Sequence, residues 1–236
     1  MLSRMPTTVP RLRPSLRSAA PGTRFESNLW NDGTATVVGV DEVGRGSWAG
    51  PLTIGAVVIP KDQRIYKVRD SKQLTEVERE AMYGRITTWA ERWAVGHATH
   101  AECDALGMSD AQRLATNRAL EALGVDIDHV LVDGKWDFVG RGNTTTIVRG
   151  DSKSLSIAAA SIIAKVTRDR MMRHAALEFP WYSFDTNKGY PCARHRAALD
   201  ALGPSTIHRT SWAFMPGLPW SGIPACRKPD EPLSLF

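Results

Sequence analysis

Residues 34–59 read TATVVGVDEVGRGSWAGPLTIGAVVI. Two runs rich in β-branched residues, Thr34–Val40 and Thr53–Ile59, flank an adjacent acid pair, Asp41-Glu42, and glycines at 44, 46 and 50. The composition predicts two strands joined by a tight loop, the second stopped by Pro60. The glycines follow GxGxxxG and not GxGxxG, the acids precede them, and a strand rather than a helix follows. A dinucleotide-binding turn needs the opposite order, so that reading fails. What remains is a loop of little side-chain bulk beside two carboxylates, able to bring backbone groups close to a sugar or phosphate. A plain tight connection fits the same residues.

Outward from this stretch, strand and helix signals alternate. Arg92–Thr99 can form a third strand, His129–Val132 a short buried one and Thr144–Val148 another. Thr75-Glu76-Val77-Glu78 is a capping box that opens a helix to about Ala90. Ser109-Asp110-Ala111-Gln112 opens a second to about Leu123, stopped by Gly124. Ser154–His174 reads as one helix whose segment SIAAASIIAK (156–165) is small and apolar on nearly every face, hence buried. Ala193–Leu202 is a last short helix. Early strands lie close together and later ones are separated by helices. That order predicts an α/β domain with a mixed sheet flanked by helices.

Three segments share one design, an apolar run ending in an acid at a turn: VGVDE (38–42), VLVDG (130–134) and IVRGD (147–151). Acids at strand ends of such a sheet can converge in one crevice. Four carboxylates there repel one another unless a cation sits among them. Oxygen ligands without accompanying Cys or His point to Mg²⁺ or Mn²⁺. Two such ions can activate water and stabilise the leaving oxygen of a phosphodiester. A single strand-end Asp more often caps a turn. The Asp41-Glu42 pair is harder to dismiss, because like charges there cost stability without a counter-ion.

Composition bounds the rest. The 236 residues are 42% hydrophobic, enough for a sizeable core and against wholesale disorder. No run approaches the ~18 apolar residues of a spanning helix, so no membrane association is expected. The three cysteines, Cys103, Cys192 and Cys226, are too few and too scattered for a disulfide framework and fit a reducing compartment. The net charge of +5 comes from the tail: residues 1–25 carry Arg4, Arg11, Arg13, Arg17 and Arg24 and no acid. Residues 1–30 read as a flexible basic arm, which also fits an organellar transit peptide. Residues 217–236 read as a second tail, which leaves 31–216 as the folded domain. His97-x-x-His100-x-x-Cys103 has zinc-like spacing, but no second cluster completes a site.

Taken together, VGVDEVGRGSWAGPL, Asp70-Ser71-Lys72-Gln73-Leu74, VLVDG, GDSKSLSIAAASIIAKVTRDR, NKGYPCARHRAAL and His208-Arg209-Thr210-Ser211-Trp212 closely resemble the type 2 ribonucleases H, the ribonuclease HII family. The resemblance covers roughly residues 34–215 in uninterrupted order. It implies a ribonuclease H-like fold with a C-terminal helical region. It also implies Mg²⁺- or Mn²⁺-dependent hydrolysis of the RNA strand of RNA–DNA hybrids, and cutting 5′ to single ribonucleotides in duplex DNA to leave 3′-OH and 5′-phosphate ends.

By position, Asp41, Glu42 and Asp133 match the family's principal metal ligands, and Asp151 its fourth acid. Gly44, Arg45 and Gly46 match the loop that reads the ribose 2′-OH through its backbone. Tyr190 matches the tyrosine that stacks on the neighbouring deoxyribose, and Lys72 falls in a segment near the nucleic-acid backbone. The 2′-OH is what distinguishes RNA from DNA, so backbone groups on one side and an aromatic face on the other suit a junction reader. Two departures stand out: Pro191-Cys192-Ala193-Arg194 follows Gly-Tyr where a Thr-Lys-Glu-like stretch is usual, and bulky Trp48 follows GRG closely.

Local charge agrees. Residues 134–174 carry eight basic groups against three acids, and these stretches suit phosphate contact. At the C-terminus, Leu233-Ser234-Leu235-Phe236 resembles the short peptide by which bacterial replication and repair proteins dock on the DNA sliding clamp, with Pro232 where Gln is usual. The sequence thus predicts a cytoplasmic, monomeric enzyme of ribonucleotide excision repair and primer removal. The alternatives are a nuclease of the same fold with another substrate, such as a type 3 ribonuclease H or a structure-specific DNA nuclease, and a non-catalytic nucleic-acid or clamp-binding module.

Overall fold

The computed structural model describes residues 20–69 and 71–218. Its sheet has five strands: β1 (Val37–Val43), β2 (Leu52–Val58), β3 (Arg92–Ala98), β4 (His129–Asp133) and β5 (Thr144–Ile147), in the order β3-β2-β1-β4-β5. β1 runs antiparallel to β2 and parallel to β4, and β4 runs parallel to β5. The helices are α1 (Arg24–Asn31), α2 (Glu76–Trp89), α3 (His100–Ala122), α4 (Leu155–Glu178), α5 (Phe184–Asn187) and α6 (Ala193–Leu202). This is the mixed sheet with flanking helices and a C-terminal helical region that the sequence predicts.

The described residues fall into two compact units. One comprises residues 20–43, 53–97 and 113–166, the other 44–52, 98–112 and 167–218. In the first, the α4 segment from Leu155 to Ala164 is buried on every face, packed with Val57, Ile59, Val68, Leu74, Met82 and Ile86. It lies against the sheet at glycines: a Cβ on Gly39 would collide with the Ser156 and Ile157 backbone, and one on Gly55 with the Ala160 carbonyl. Absence of a side chain at those two strand positions is what permits this close approach. The second unit is cored by Met172, Tyr182, Phe184, Leu199, Ile207 and Met215.

Several local signals act as read. Thr75 Oγ1 accepts the Glu78 N–H at 3.3 Å, while Glu78 Oε2 accepts the Thr75 N–H at 2.7 Å, closing the capping box of α2. α6 has the predicted bounds. Three expectations need correction. α3 also takes in a first segment from His100 that the sequence reading misses: Thr99 and Glu102 form its capping box, with bonds of 2.8 and 3.1 Å. Gly107, at φ 77°, kinks the helical path, and the helix expected from Ser109 follows it to Ala122. β1 does not stop at Val40 but runs through Asp41 and Glu42 to Val43, because its pairing with β2 continues to Val43↔Thr53.

The third correction concerns the expected arm over residues 1–30. Residues 24–31 form α1, and Phe25, Leu29 and Trp30 pack on a cluster of Val37, Leu131, Ile147 and Ile157. Arginine-rich composition hid the three apolar residues through which α1 packs. The expected tail segment Leu233–Phe236 lies outside the described residues.

Candidate active site

β1 and β4 run side by side with Val40 opposite Val132. Asp41 and Asp133 each follow that pair by one residue, so the parallel register brings them level. Side chains alternate along a strand. Asp41 therefore shares the face of Gly39, which packs against α4, while Glu42 belongs to the other. β5 delivers the third acid. Ile147 pairs with Asp133, then the chain turns through Arg149, at φ 56°, into the short 3₁₀ turn of Gly150–Ser152. The Gly150 N–H donates to Asp133 Oδ1 at 2.6 Å, tying the turn to β4.

The result is one group of oxygen ligands. Asp41, Asp133 and Asp151 each offer a carboxylate oxygen, all within 4.8 Å of one another. Glu42 does not join them; its backbone N–H donates to Asp41 Oδ1 at 2.8 Å. Its charge still matters. Burial lifts the Asp41 carboxyl well above the usual carboxylate range, and the charges of Glu42, Asp133 and Asp151 push it the same way, against the Ser161 hydroxyl beside it. Lys72 Nζ lies 3.7 Å from Asp151 Oδ2, and Lys72 is 76% exposed while Asp151 is 6% exposed. Three clustered carboxylates, with Glu42 adjacent to Asp41, make a strongly acidic group that favours a cation among them.

That donor set fits a hard divalent cation. Asp41, Asp133 and Asp151 would supply carboxylate oxygens, all within 4.8 Å of one another, to such an ion. His97, His100 and Cys103 contribute nothing comparable. The His97 ring bonds to Thr53 Oγ1 at 2.9 Å, Cys103 is buried, and no ligand group among the described residues includes them.

The second unit holds the glycine loop and Tyr190. The Gly44 N–H donates to Tyr190 Oη at 2.9 Å, and Ser47 Oγ donates to the Gly44 carbonyl at 2.8 Å. Gly44 has φ 89°, and a Cβ there would collide with the Arg168 side chain. Arg45 and Gly46 are exposed. Arg168, fully buried, bridges this loop and the Tyr190 segment. It donates to the Pro51, Ala49 and Lys188 carbonyls and to Ser47 Oγ at 2.7–3.0 Å, and its guanidinium lies 5.4 Å from the Tyr190 ring centre. Arg209 does the same on the other side, donating to the Gly50 and Arg45 carbonyls at 3.0 and 3.1 Å. Burial lowers the Arg168 pKa to about 10, which leaves it cationic at neutral pH.

Behind Tyr190 runs a histidine relay. His195 Nδ1 lies 2.9 Å from the Tyr190 carbonyl, and that carbonyl can only accept, so Nδ1 carries the proton. His195 Nε2 is then the acceptor in the 2.9 Å bond to His208 Nε2. His208 Nδ1 is left to accept the Ser205 N–H at 2.8 Å. Both rings are thereby fixed as neutral tautomers, and burial lowers the His208 pKa to about 3. Trp48 is part of this scaffold, its ring 4.6 Å from Phe214 and 5.1 Å from His195.

Of the predicted acids, Asp41, Asp133 and Asp151 come together. Ser161, Arg168, His195, His208 and Arg209 fall inside the quoted motifs without any sign of their supporting contacts, and Glu26 lies outside every motif. A buried-looking helix that nevertheless contains Arg168 is the one hint that an arginine there has internal partners.

A mixed five-stranded sheet with carboxylates at its strand ends defines a protein of the ribonuclease H-like fold class. Residues 38–215 match the ribonuclease HII family model. The chain is 45% identical over 188 residues to a ribonuclease HII of Streptomyces avermitilis, covering 79% of this chain and 81% of that one. It is 43% identical over 208 residues to a ribonuclease HII of Streptomyces griseus, covering 86% and 88%. The crystal structure of ribonuclease H2 from Pyrococcus horikoshii OT3 superposes with a TM-score of 0.68 at 28% identity, covering 78% of this chain and 97% of that one. The chain belongs to the ribonuclease HII family. It is therefore a ribonuclease H, a hydrolase with endonuclease activity on RNA–DNA substrates.

Proposed function

We propose that this ribonuclease H cuts the RNA strand of hybrids and also cuts 5′ to single ribonucleotides in duplex DNA, serving ribonucleotide excision repair and primer removal. The observation that carries the chemistry is the convergence of Asp41, Asp133 and Asp151 within 4.8 Å. These three, with Glu42 beside Asp41, would hold Mg²⁺ or Mn²⁺. When bound, two such ions would supply an activated water and stabilise charge on the leaving oxygen.

The remaining roles fall to the chain's own groups. Gly44, Arg45 and Gly46 offer backbone N–H and C=O groups to a ribose 2′-OH, with no Cβ on either glycine to block approach. Tyr190 offers a ring face for the adjacent deoxyribose, oriented by Arg168 on its face and Gly44 at its hydroxyl. Lys72, tethered to Asp151 yet largely exposed, suits a backbone phosphate of the substrate as a point charge. The bound form of the cluster would release Lys72 from that pairing.

The enzyme acts as a cytoplasmic monomer in this reading, with a catalytic domain over 31–216 that also takes in α1. Leu233–Phe236 would dock on the sliding clamp through leucine and phenylalanine anchors. No described helix is long and apolar enough to cross a membrane.

The decisive experiment is cleavage of a labelled DNA duplex containing one ribonucleotide, with Mg²⁺, Mn²⁺ or chelator, beside Asp133→Asn. The expected outcome is a cut 5′ to the ribonucleotide that needs metal and falls at least ~100-fold in the variant, above the usual loss for a residue that merely supports a ligand. Binding without cutting under either metal would overturn it in favour of a binding module. Cutting of all-RNA hybrids alone would overturn the single-ribonucleotide reading.

A further inference from the structure

Glu26 is the first acid in the chain, and it is completely buried. One of its oxygens, Oε1, accepts three hydrogen bonds: from Ser154 Oγ at 2.6 Å, Ser156 Oγ at 2.7 Å and the Ser156 N–H at 2.9 Å. The other, Oε2, is buried with no hydrogen-bond partner. A carboxylate with one oxygen triply satisfied and the other abandoned is a costly way to cap a helix. A serine hydroxyl is already there for that task, since Ser154 Oγ also accepts the Ile157 N–H at 3.3 Å.

What Glu26 grips is the segment that carries Asp151. Asp151 sits in the 3₁₀ turn Gly150–Ser152, and the Lys153 and Ser154 N–H groups both fold back onto the Gly150 carbonyl, at 2.9 and 2.8 Å. Residues 150–156 are thus one continuous hydrogen-bonded piece. It is fixed on one side by the Gly150 N–H on Asp133 Oδ1. On the other side it is fixed by the N-terminal segment. The Gly22 N–H donates to the Lys153 carbonyl at 3.2 Å, the Leu155 N–H donates to the Gly22 carbonyl at 2.9 Å, and Glu26 takes the two serines. Glu26 also lies at the N-terminus of the 24-residue helix α4, where backbone N–H groups lack intrahelical acceptors.

We propose that Glu26 is a positioning residue for the metal cluster: through Ser154 and Ser156 it holds Asp151 within reach of Asp41 and Asp133. The proposal rests on the reading of Asp151 as a ligand. Its effect is on where the third carboxylate sits, not on chemistry at the scissile bond. Loss of Glu26 frees the turn at one end, so the cluster must be assembled each time an ion binds.

Mn²⁺ binding to the full chain, followed by the electron paramagnetic resonance signal of the free ion, tests this without turnover. Four proteins are compared: the natural chain, Glu26→Gln, Asp151→Asn and the double variant. Glu26→Gln is expected to weaken Mn²⁺ binding about 10-fold, the usual scale for residues that orient a ligand. It is expected to cause no further loss once Asp151 is already Asn, because coupled residues fail to add. Ser156→Ala removes one donor of three and is expected to give a smaller loss in the same direction; it also serves as the test if Glu26→Gln does not fold. Unchanged Mn²⁺ affinity in Glu26→Gln and Ser156→Ala would overturn the proposal, leaving Glu26 a helix cap. So would a 10-fold loss that persists in the Asp151→Asn background. Natural affinity in Asp151→Asn alone would instead remove Asp151 from the ligand set, and the proposal with it.

Discussion

The two compact units solve opposite electrostatic problems. In the first, Asp41, Asp133 and Asp151 crowd together, with Glu42 adding charge and Lys72 3.7 Å from Asp151. In the second, two buried guanidinium groups lie among carbonyl oxygens: Arg168 donates to three and Arg209 to two. The first arrangement favours a cation from outside. The second already joins Tyr190 and Gly44 by a 2.9 Å bond, although Arg209 Nη2 is buried without a hydrogen-bond partner. In the proposed function, the contrast is between a site that takes up an ion and a loop held in shape ahead of its ligand. Preorganisation spares the cost of ordering on binding, while uncompensated charge creates selectivity for a divalent ion over water or a monovalent one.

The comparison can be broken most forcefully at Arg168. Arg168→Met leaves the Pro51, Ala49 and Lys188 carbonyls and Ser47 without their donor, and should cost about 3–5 kcal/mol of stability in urea unfolding, as when a buried network loses its charged partner. A loss below 1 kcal/mol would mean that water replaces the guanidinium and that the second unit is not preorganised in this way.

A smaller effect comes from pH. The His208 pKa is about 3 in the fold, against about 6.5 when exposed. As pH falls, the unfolded chain takes up the proton first. The contribution is therefore whole above about pH 6.5 and is lost as pH falls toward 3. Between pH 6.5 and pH 5 the loss should reach about 2 kcal/mol, and His208→Gln should flatten that slope. The natural chain showing no loss of stability over this range would contradict the neutral relay.

The smallest effect sharpens the other half. Burial first, and the neighbouring acids second, hold Asp41 above its ordinary pKa, so at neutral pH this group opposes folding of the metal-free protein. Asp41→Asn removes that opposition and should stabilise the metal-free chain by about 1 kcal/mol. In thermal melts, Mn²⁺ should raise the midpoint of the natural chain and much less that of the variant. A destabilised variant would show that the carboxylates are not in mutual repulsion.

The strands, α2, α6 and the buried α4 were legible because each carries a local signature: β-branched runs, a capping box, small apolar residues. The acids were legible for the same reason, as each ends an apolar run. What stayed hidden is long-range. Nothing near Glu26 says that its partners lie about 130 positions away at Ser154 and Ser156. Arg168 and Arg209 look like surface charges in a basic stretch until the carbonyls they serve are seen. Adjacency pairs Glu42 with Asp41; strand alternation sets its Cβ on the other face, yet its charge still acts on Asp41.

The hydrogen bonds around Gly22 and Glu26 bear on where this chain can be cut. The family match begins at Val38. Two bonds to Gly22 and three to Glu26 reach the residues next to Asp151 from before that boundary. A recombinant protein trimmed to the matched region would keep all four acids, the glycine loop and Tyr190, and lose this strap. The shortest version worth purifying therefore starts ahead of Gly22.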